Sequence, residues 1–185
     1  MTEEWTVRRI SRTMVPLLLV LTLVELGSGL VLGAFEERLL SAPSLLVLVP
    51  VTIGTAGNLG SILASRLSTA FHLGTLSFSP TDDDLAGNAL ATVALAATLF
   101  PVVGLGAWAL AALTGSTALS PWTVVLVAVS SGVTLAVLAV AVTLVATYAA
   151  YRFSLDPDDV VIPVVTNVCD VLGVLVLFAA VIVFT

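Results

Sequence analysis

The sequence has no lysine, one cysteine and one histidine, and charged residues fill only 10% of its 185 positions. Each scarcity excludes something. All six basic residues are arginine, and twelve acids leave a net charge of −6, so there is no polybasic surface for nucleic acid or anionic lipid. A single cysteine, Cys169, rules out an intrachain disulfide and a cysteine-based metal cluster within one chain. No nucleophile–base pair and no His-rich metal motif is recognisable, which argues against an enzyme. A soluble domain carries roughly 25% charged residues.

What fills the chain instead is apolar: 59% hydrophobic residues and a mean hydropathy of +1.18. Such a surface is tolerated only where lipid is the solvent. At about 20 residues per crossing, five spans fit and leave no room for a soluble domain. We therefore expect one transmembrane domain over residues 1–185, with no N-terminal cytoplasmic domain. Arg8, Arg9 and Arg12 ahead of an apolar run could suggest a secretion signal. Glu25 within the run, and no small-residue cleavage site after it, mark a retained first span instead.

Five apolar segments separate along the chain: about Met14 to Ala34, Pro43 to Ala70, Leu85 to Leu113 (with Pro101 as an expected kink), Pro121 to Tyr151, and Val160 to the C-terminus. Their length and lack of strict alternation predict helices, not barrel strands. Asp156 followed by Pro157 is a good helix start. The fold expected is an all-α integral membrane protein of five transmembrane helices. Arg8, Arg9, Arg12, Arg66 and Arg152 fall on one side and Arg38 alone on the other, which predicts an inside N-terminus and an outside C-terminus.

Ionised groups at mid-membrane cost about 2.5–3.5 kcal/mol on insertion scales, so the polar exceptions are informative. Two acids lie near mid-span, Glu25 in the first segment and Asp170 in the fifth. Pro163, Thr166 or Asn167, Asp170 and Gly173 recur at spacings of three or four and share a helical face rich in oxygen. In the second segment Gly54, Gly57 with Asn58, Ser61 and Ser65 form a stripe of small and polar residues, able to admit another backbone closely and to add a carbonyl oxygen. Glu25 shares its face with Thr22 and Gly29, and reads equally as a pathway residue or a structural polar contact. His72 reads as a solvated or capping residue, Cys169 as a packed small hydrophobe. The runs Asp82 to Asp84 and Asp156, Asp158 and Asp159 read as solvated helix starts or as a cation-collecting vestibule on the cytoplasmic side.

Two stretches carry a family resemblance. PVTIGTAGNLGSILASRLSTAFHLG, from Pro50 to Gly74, resembles the signature helix of the MgtE-type magnesium transporters, closest to the solute-carrier family 41 branch through GNL at Gly57 to Leu59 and ASRLSTA at Ala64 to Ala70. DPDDVVIPVVTNVCDVLG, from Asp156 to Gly173, is similar to that family's last helix, and the FEE turn after the first segment also agrees. Where bacterial members have a further glycine and a glutamine, Ala56 and Ile62 stand here. Bacterial members also carry CBS domains ahead of the first helix, and none is expected in this chain.

The resemblance implies transport of Mg2+ through a pathway at a dimer interface, lined by the second and fifth spans. Mn2+ and other divalent cations are further candidate cargoes. It makes Asp170 the pore aspartate and Asn58 the signature asparagine; the residue pattern itself adds Asn167, Thr166 and Gly57 as candidate ion ligands and Glu25, Gly54, Ser61, Pro163 and Gly173 as candidate pathway residues. The expected partner is a second copy or a related five-helix half, within the plasma membrane. Exchange of Mg2+ against Na+ or H+, and a non-conducting accessory subunit, remain open alternatives.

Overall fold

A computed structural model describes residues 6–75, 77–78 and 82–185. Among these the secondary structure is entirely helical: α1 (Val7–Ala34), α2 (Glu36–Ser41), α3 (Pro43–His72), α4 (Asp83–Leu113), α5 (Pro121–Phe153) and α6 (Pro157–Phe184). All but α2 are long and apolar enough to cross a membrane. A helix satisfies every interior backbone group within its own segment, which is what lipid demands.

The ends are set by local chemistry. Asp82 caps α4 by accepting the Leu85 amide at 3.0 Å, and Ser120 caps α5 by accepting that of Thr123 at 3.2 Å. Asp156 precedes Pro157 and accepts the Asp158 amide at 3.1 Å, the start read from sequence. At the C-terminal ends of α3 and α4, Gly74 and Gly115 adopt φ of 67° and 75°. Their amides and those of the next residues turn back onto carbonyls of the last helical turn. Ser154 does the same after α5 at φ 54°.

Two departures from the sequence reading stand out. The first helix begins at Val7, not near Met14, so Arg8, Arg9 and Arg12 lie on its first turns. The FEE turn is in fact the short helix α2, which begins at Glu36. Pro101 lies inside α4, as its place in the third apolar segment predicts, and the helix runs from Asp83 to Leu113.

Two layers and a waist build the bundle. At the far end, where α2 lies, Leu39, Leu45, Leu48, Val124, Val127 and Leu177 form one core, and Phe35 stacks on Phe178 at 3.9 Å. At the near end, where α3 finishes and α6 starts, Ala64, Ala139, Ala150, Val161, Val165 and Cys169 form another. Between them Leu59, Ala96, Phe100 and Ala136 close the middle. Helices α3 to α6 pack on one another, whereas α1 touches only α6 and α2 among the described residues. Its apolar span has no buried share, so α1 is a peripheral helix fixed by one neighbour.

Glycines set the closest approaches. A Cβ on Gly60 would lie 2.5 Å from Val165, one on Gly173 2.8 Å from Ile53, and one on Gly104 2.7 Å from the Val125 backbone. These contacts run α3 antiparallel to α6, with Ile53 level with Gly173 and Gly60 level with Val165 and Cys169. At Gly132 the Phe100 ring occupies the place a Cβ would take.

Two outcomes follow. Gly132→Ala should gain up to about 1 kcal/mol of helix propensity but lose about 1–3 kcal/mol by overpacking, so thermal unfolding in detergent should move down. Gly106→Ala, which meets nothing within 4 Å, should not lower it. Separately, hydrogen bonds from the Leu85 amide and then the Ser77 hydroxyl hold the Asp82 carboxyl below the ordinary aspartate range. A lowered folded-state value contributes stability above about pH 4 that is lost as pH falls through that lower value. Protection of amides in the first turn of α4, relative to their intrinsic exchange at each pH, should therefore fall on acidification through that range, and should fall less in Asp82→Asn.

Candidate functional site

The site is built on α6, around the one acid of its interior. Asp170 sits half-buried, and Glu25 from α1 lies within hydrogen-bonding reach of it. α1 and α6 run parallel, so the same register brings Leu21 level with Asn167 and Phe35 level with Phe178. The side-chain amide of buried Asn167 donates to the Leu21 carbonyl at 3.0 Å. That bond spends an N–H donor and leaves the Asn167 side-chain oxygen. Asn167 thus holds α1 in the position that sets Glu25 against Asp170.

The neighbouring oxygens come from α6 and α3. The Thr166 hydroxyl donates to the carbonyls of Ile162 at 2.9 Å and Pro163 at 3.1 Å, so its lone pairs remain outward. Pro163 removes an N–H from the helix, and half-buried Pro163, Thr166 and Asp170 follow along one side of α6. On α3, Gly57 passes Thr166 with 3.9 Å between a notional Cβ and the threonine methyl. Ser61 donates to the Gly57 carbonyl at 2.9 Å. Gly173 is buried against Ile53. Cys169 is buried beside Gly60, the packed small hydrophobe read from sequence.

Asn58 and Gly54 lie elsewhere on α3. Both are exposed, together with Val51, Ile62, Ser65 and Thr69. These six recur at helical spacing and form an outward stripe that no helix of the same chain covers. The asparagine has no hydrogen-bond partner within the chain among the described residues.

A second polar group lies at the near end. Ser68, itself buried, donates to an Asp158 carboxylate oxygen at 2.6 Å. His72 Nδ1 approaches the Ser68 carbonyl at 2.9 Å, a contact in the last turn of α3 that matches a capping role. His72 Nε2 faces Asp156 at 3.8 Å. Asp159 is half-buried on the next position of α6. The sequence reading had Asp156, Asp158 and Asp159 together but left His72 and Ser68 out. The only local signal was that Ser68 and His72 stand four apart on one helix face; their partners are 84 or more positions away in the chain.

Five helices long and apolar enough to cross a membrane, two of them carrying acids near mid-helix, define a multi-pass membrane protein. The chain belongs to the MgtE family of divalent cation transporters, whose sequence model matches residues 49–180. That match takes in most of α3, all of α4 and α5 and most of α6, and leaves Glu25 outside it. No curated protein sequence matches the chain. Membership makes the chain a transporter of divalent cations and not a member of a known enzyme family.

The bond between α1 and α6 is open to a direct check. Asn167→Leu should remove about 0.6–2 kcal/mol of interhelical hydrogen bonding. Amide exchange and protease cleavage should then rise in α1 while α3 to α5 stay protected. Equal loosening of every helix would show that Asn167 does not act as the tether of α1.

Proposed function

We propose that this chain carries Mg2+ across the plasma membrane as one half of a dimer, with the hydrated ion paused at Asp170. The observation that carries this reading is the meeting of Glu25 and Asp170 carboxyls at mid-depth, beside the helix whose outward stripe bears Asn58. Mg2+ dehydrates reluctantly and keeps several waters, so a site that accepts waters on fixed oxygens suits it better than a closed protein cage. Thr166, the Gly57 carbonyl and the Asn167 oxygen are further acceptors at that level. Gly54, Ser61, Pro163 and Gly173 keep the adjoining helix surfaces narrow.

The dimer follows from the cost of an unpartnered asparagine in lipid. Packing the outward stripe of α3 against its symmetry mate places Asn58 from both copies on one axis. A related half would serve as well as a second copy. An inside N-terminus, favoured by the arginine distribution, puts the near end and its acids in the cytoplasm. A divalent ion crossing the whole field inward then gains about 4.6 kcal/mol per 100 mV. The GNL and ASRLSTA stretches of α3 favour the solute-carrier family 41 branch.

A second reading, exchange of Mg2+ against H+, is favoured by the same pair. Two neighbouring carboxyl groups offer the same oxygens to a proton or to a cation, so the two ligands compete. Imposing opposed pH and sodium gradients on vesicles separates this from simple conduction.

The test is Mg2+ uptake by purified protein in proteoliposomes. Loss of a charge-assisted contact worth about 1.5–3 kcal/mol should lower uptake by Asp170→Asn roughly 10–100-fold. Uptake by Asp170→Asn equal to that of the unaltered protein would remove Asp170 from the pathway.

A further inference from the structure

The near-end group has a chemistry unlike the rest of the pathway, because it contains a nitrogen. One ligand atom each from His72, Asp156 and Asp158 lie within 4.8 Å of one another. They come from two elements, the last turn of α3 and the first turn of α6. Among the described residues no arginine stands within ion-pair distance of either aspartate. The amino end of α6 favours negative charge there, but it does not supply a ligand for the imidazole.

The hydrogen bonds fix which atoms are free. A backbone carbonyl only accepts, so the contact from His72 Nδ1 to the Ser68 carbonyl places the ring proton on Nδ1. In the neutral ring Nε2 is then a bare lone pair, and it points at a carboxylate oxygen 3.8 Å away. Asp158 is oriented from behind by the buried Ser68 hydroxyl at 2.6 Å. Imidazole held through Nδ1–H by a carbonyl, and carboxylate held by a hydroxyl, are the outer-shell arrangement that aims metal ligands. Lone pairs of Nε2, Asp156 and Asp158 therefore converge, although the Asp156 oxygen that faces Nε2 also accepts the Asp158 amide at 3.1 Å.

We propose that His72, Asp156 and Asp158 form a second metal site, specific for a borderline transition cation such as Zn2+ or Co2+, that ties the end of α3 to the start of α6. Imidazole nitrogen suits these ions, whereas Mg2+ takes oxygen alone. At metal–ligand bonds of about 2.0–2.2 Å, ligand atoms in a tetrahedral shell stand about 3.3–3.6 Å apart. Exposed side chains on two helix ends reach this by rotamer adjustment. Water completes the shell, since both His72 and Asp156 are about half exposed. This assignment does not rest on the role of Asp170.

Co2+ alone is the probe, added to the full-length protein in detergent at neutral pH. The unaltered protein should show visible Co2+ ligand-field absorption with stoichiometric binding and a rise in thermal unfolding temperature. Both should persist in Asp170→Asn and in the presence of millimolar Mg2+. His72→Ala and Asp158→Asn should abolish both. Ser68→Ala, which removes the hydrogen bond behind Asp158 and a 3.4 Å contact of the same hydroxyl with His72 Nδ1, should weaken Co2+ about tenfold. Each variant is checked for an unaltered elution volume and helical circular dichroism. No absorption in the unaltered protein would make the cluster a proton-held ion pair and overturn the proposal. Binding that survives His72→Ala, or that disappears in Asp170→Asn, would overturn it equally.

Discussion

The antiparallel contact of α3 with α6 is the interaction on which the rest depends. It is made possible by missing side chains: Gly60 admits Val165 and Cys169, and Gly173 admits Ile53. In lipid there is no hydrophobic drive to bring helices together, so close van der Waals packing must supply the attraction. The price is that both helices carry little bulk where they cross. What that vacancy provides is backbone and small polar groups, at Gly57, Ser61 and Thr166, within reach of one another. The α5 helix closes the same contact from behind through Ala139, which lies 3.4 Å from a notional Cβ on Gly60. A larger residue at position 60 would therefore press on α5 and α6 together.

α1 is held by a different kind of force. It has no helix neighbour but α6 and the short α2 among the described residues, and its apolar surface faces outward. A helix with so little packing is positioned by its polar contacts, and there are two at successive turns: Leu21 with Asn167, and Glu25 with Asp170. Far from water, an amide donor on a carbonyl has few competing partners. The aromatic stack of Phe35 on Phe178 then fixes the far end. Register along α1 thus depends on single side chains, whereas register between α3 and α6 depends on surface shape.

Much of this was legible in the sequence, and for a reason. Lipid imposes the longest hydropathy period there is, so five spans could be bounded by inspection, and Asp156 with Pro157 marked the start of α6 to the residue. Asp170 and Asn58 were visible because a polar residue in an apolar run has no innocuous explanation, but the stripe read on α3 divides, with Gly57 packed on Thr166 of α6 and Gly54, Asn58 and Ser65 facing outward. The short helix α2 was not legible, since its six residues are too few to show a period. Glu25 illustrates the boundary most clearly. Its own helix says only that it is an acid on a face with Thr22 and Gly29. Its partner lies 145 positions away, and only the parallel packing of α1 on α6 supplies it. His72 is the same case, ambiguous on α3 and intelligible only when α6 brings Asp156 and Asp158 beside it.

The two polar groups differ in chemistry as well as in depth. At mid-membrane every candidate ligand is an oxygen: two carboxyls, hydroxyls, amide oxygens and backbone carbonyls. Hard, strongly hydrated cations are matched by such a set, and it does nothing to favour softer ions. At the near end an imidazole joins two carboxylates, and nitrogen reverses the preference. Both groups sit on the same two helices, with Asp158 and Asp170 twelve residues apart on α6, roughly 18 Å along its axis. Rigid helices transmit a displacement at one end to the other with little loss. A ligand that draws the end of α3 toward the start of α6 therefore acts on the spacing of the Gly57 and Thr166 crossing without touching it. Keeping the nitrogen out of the mid-membrane group has its own logic: an imidazole there would hold a borderline cation long enough to block the ion that is meant to pass.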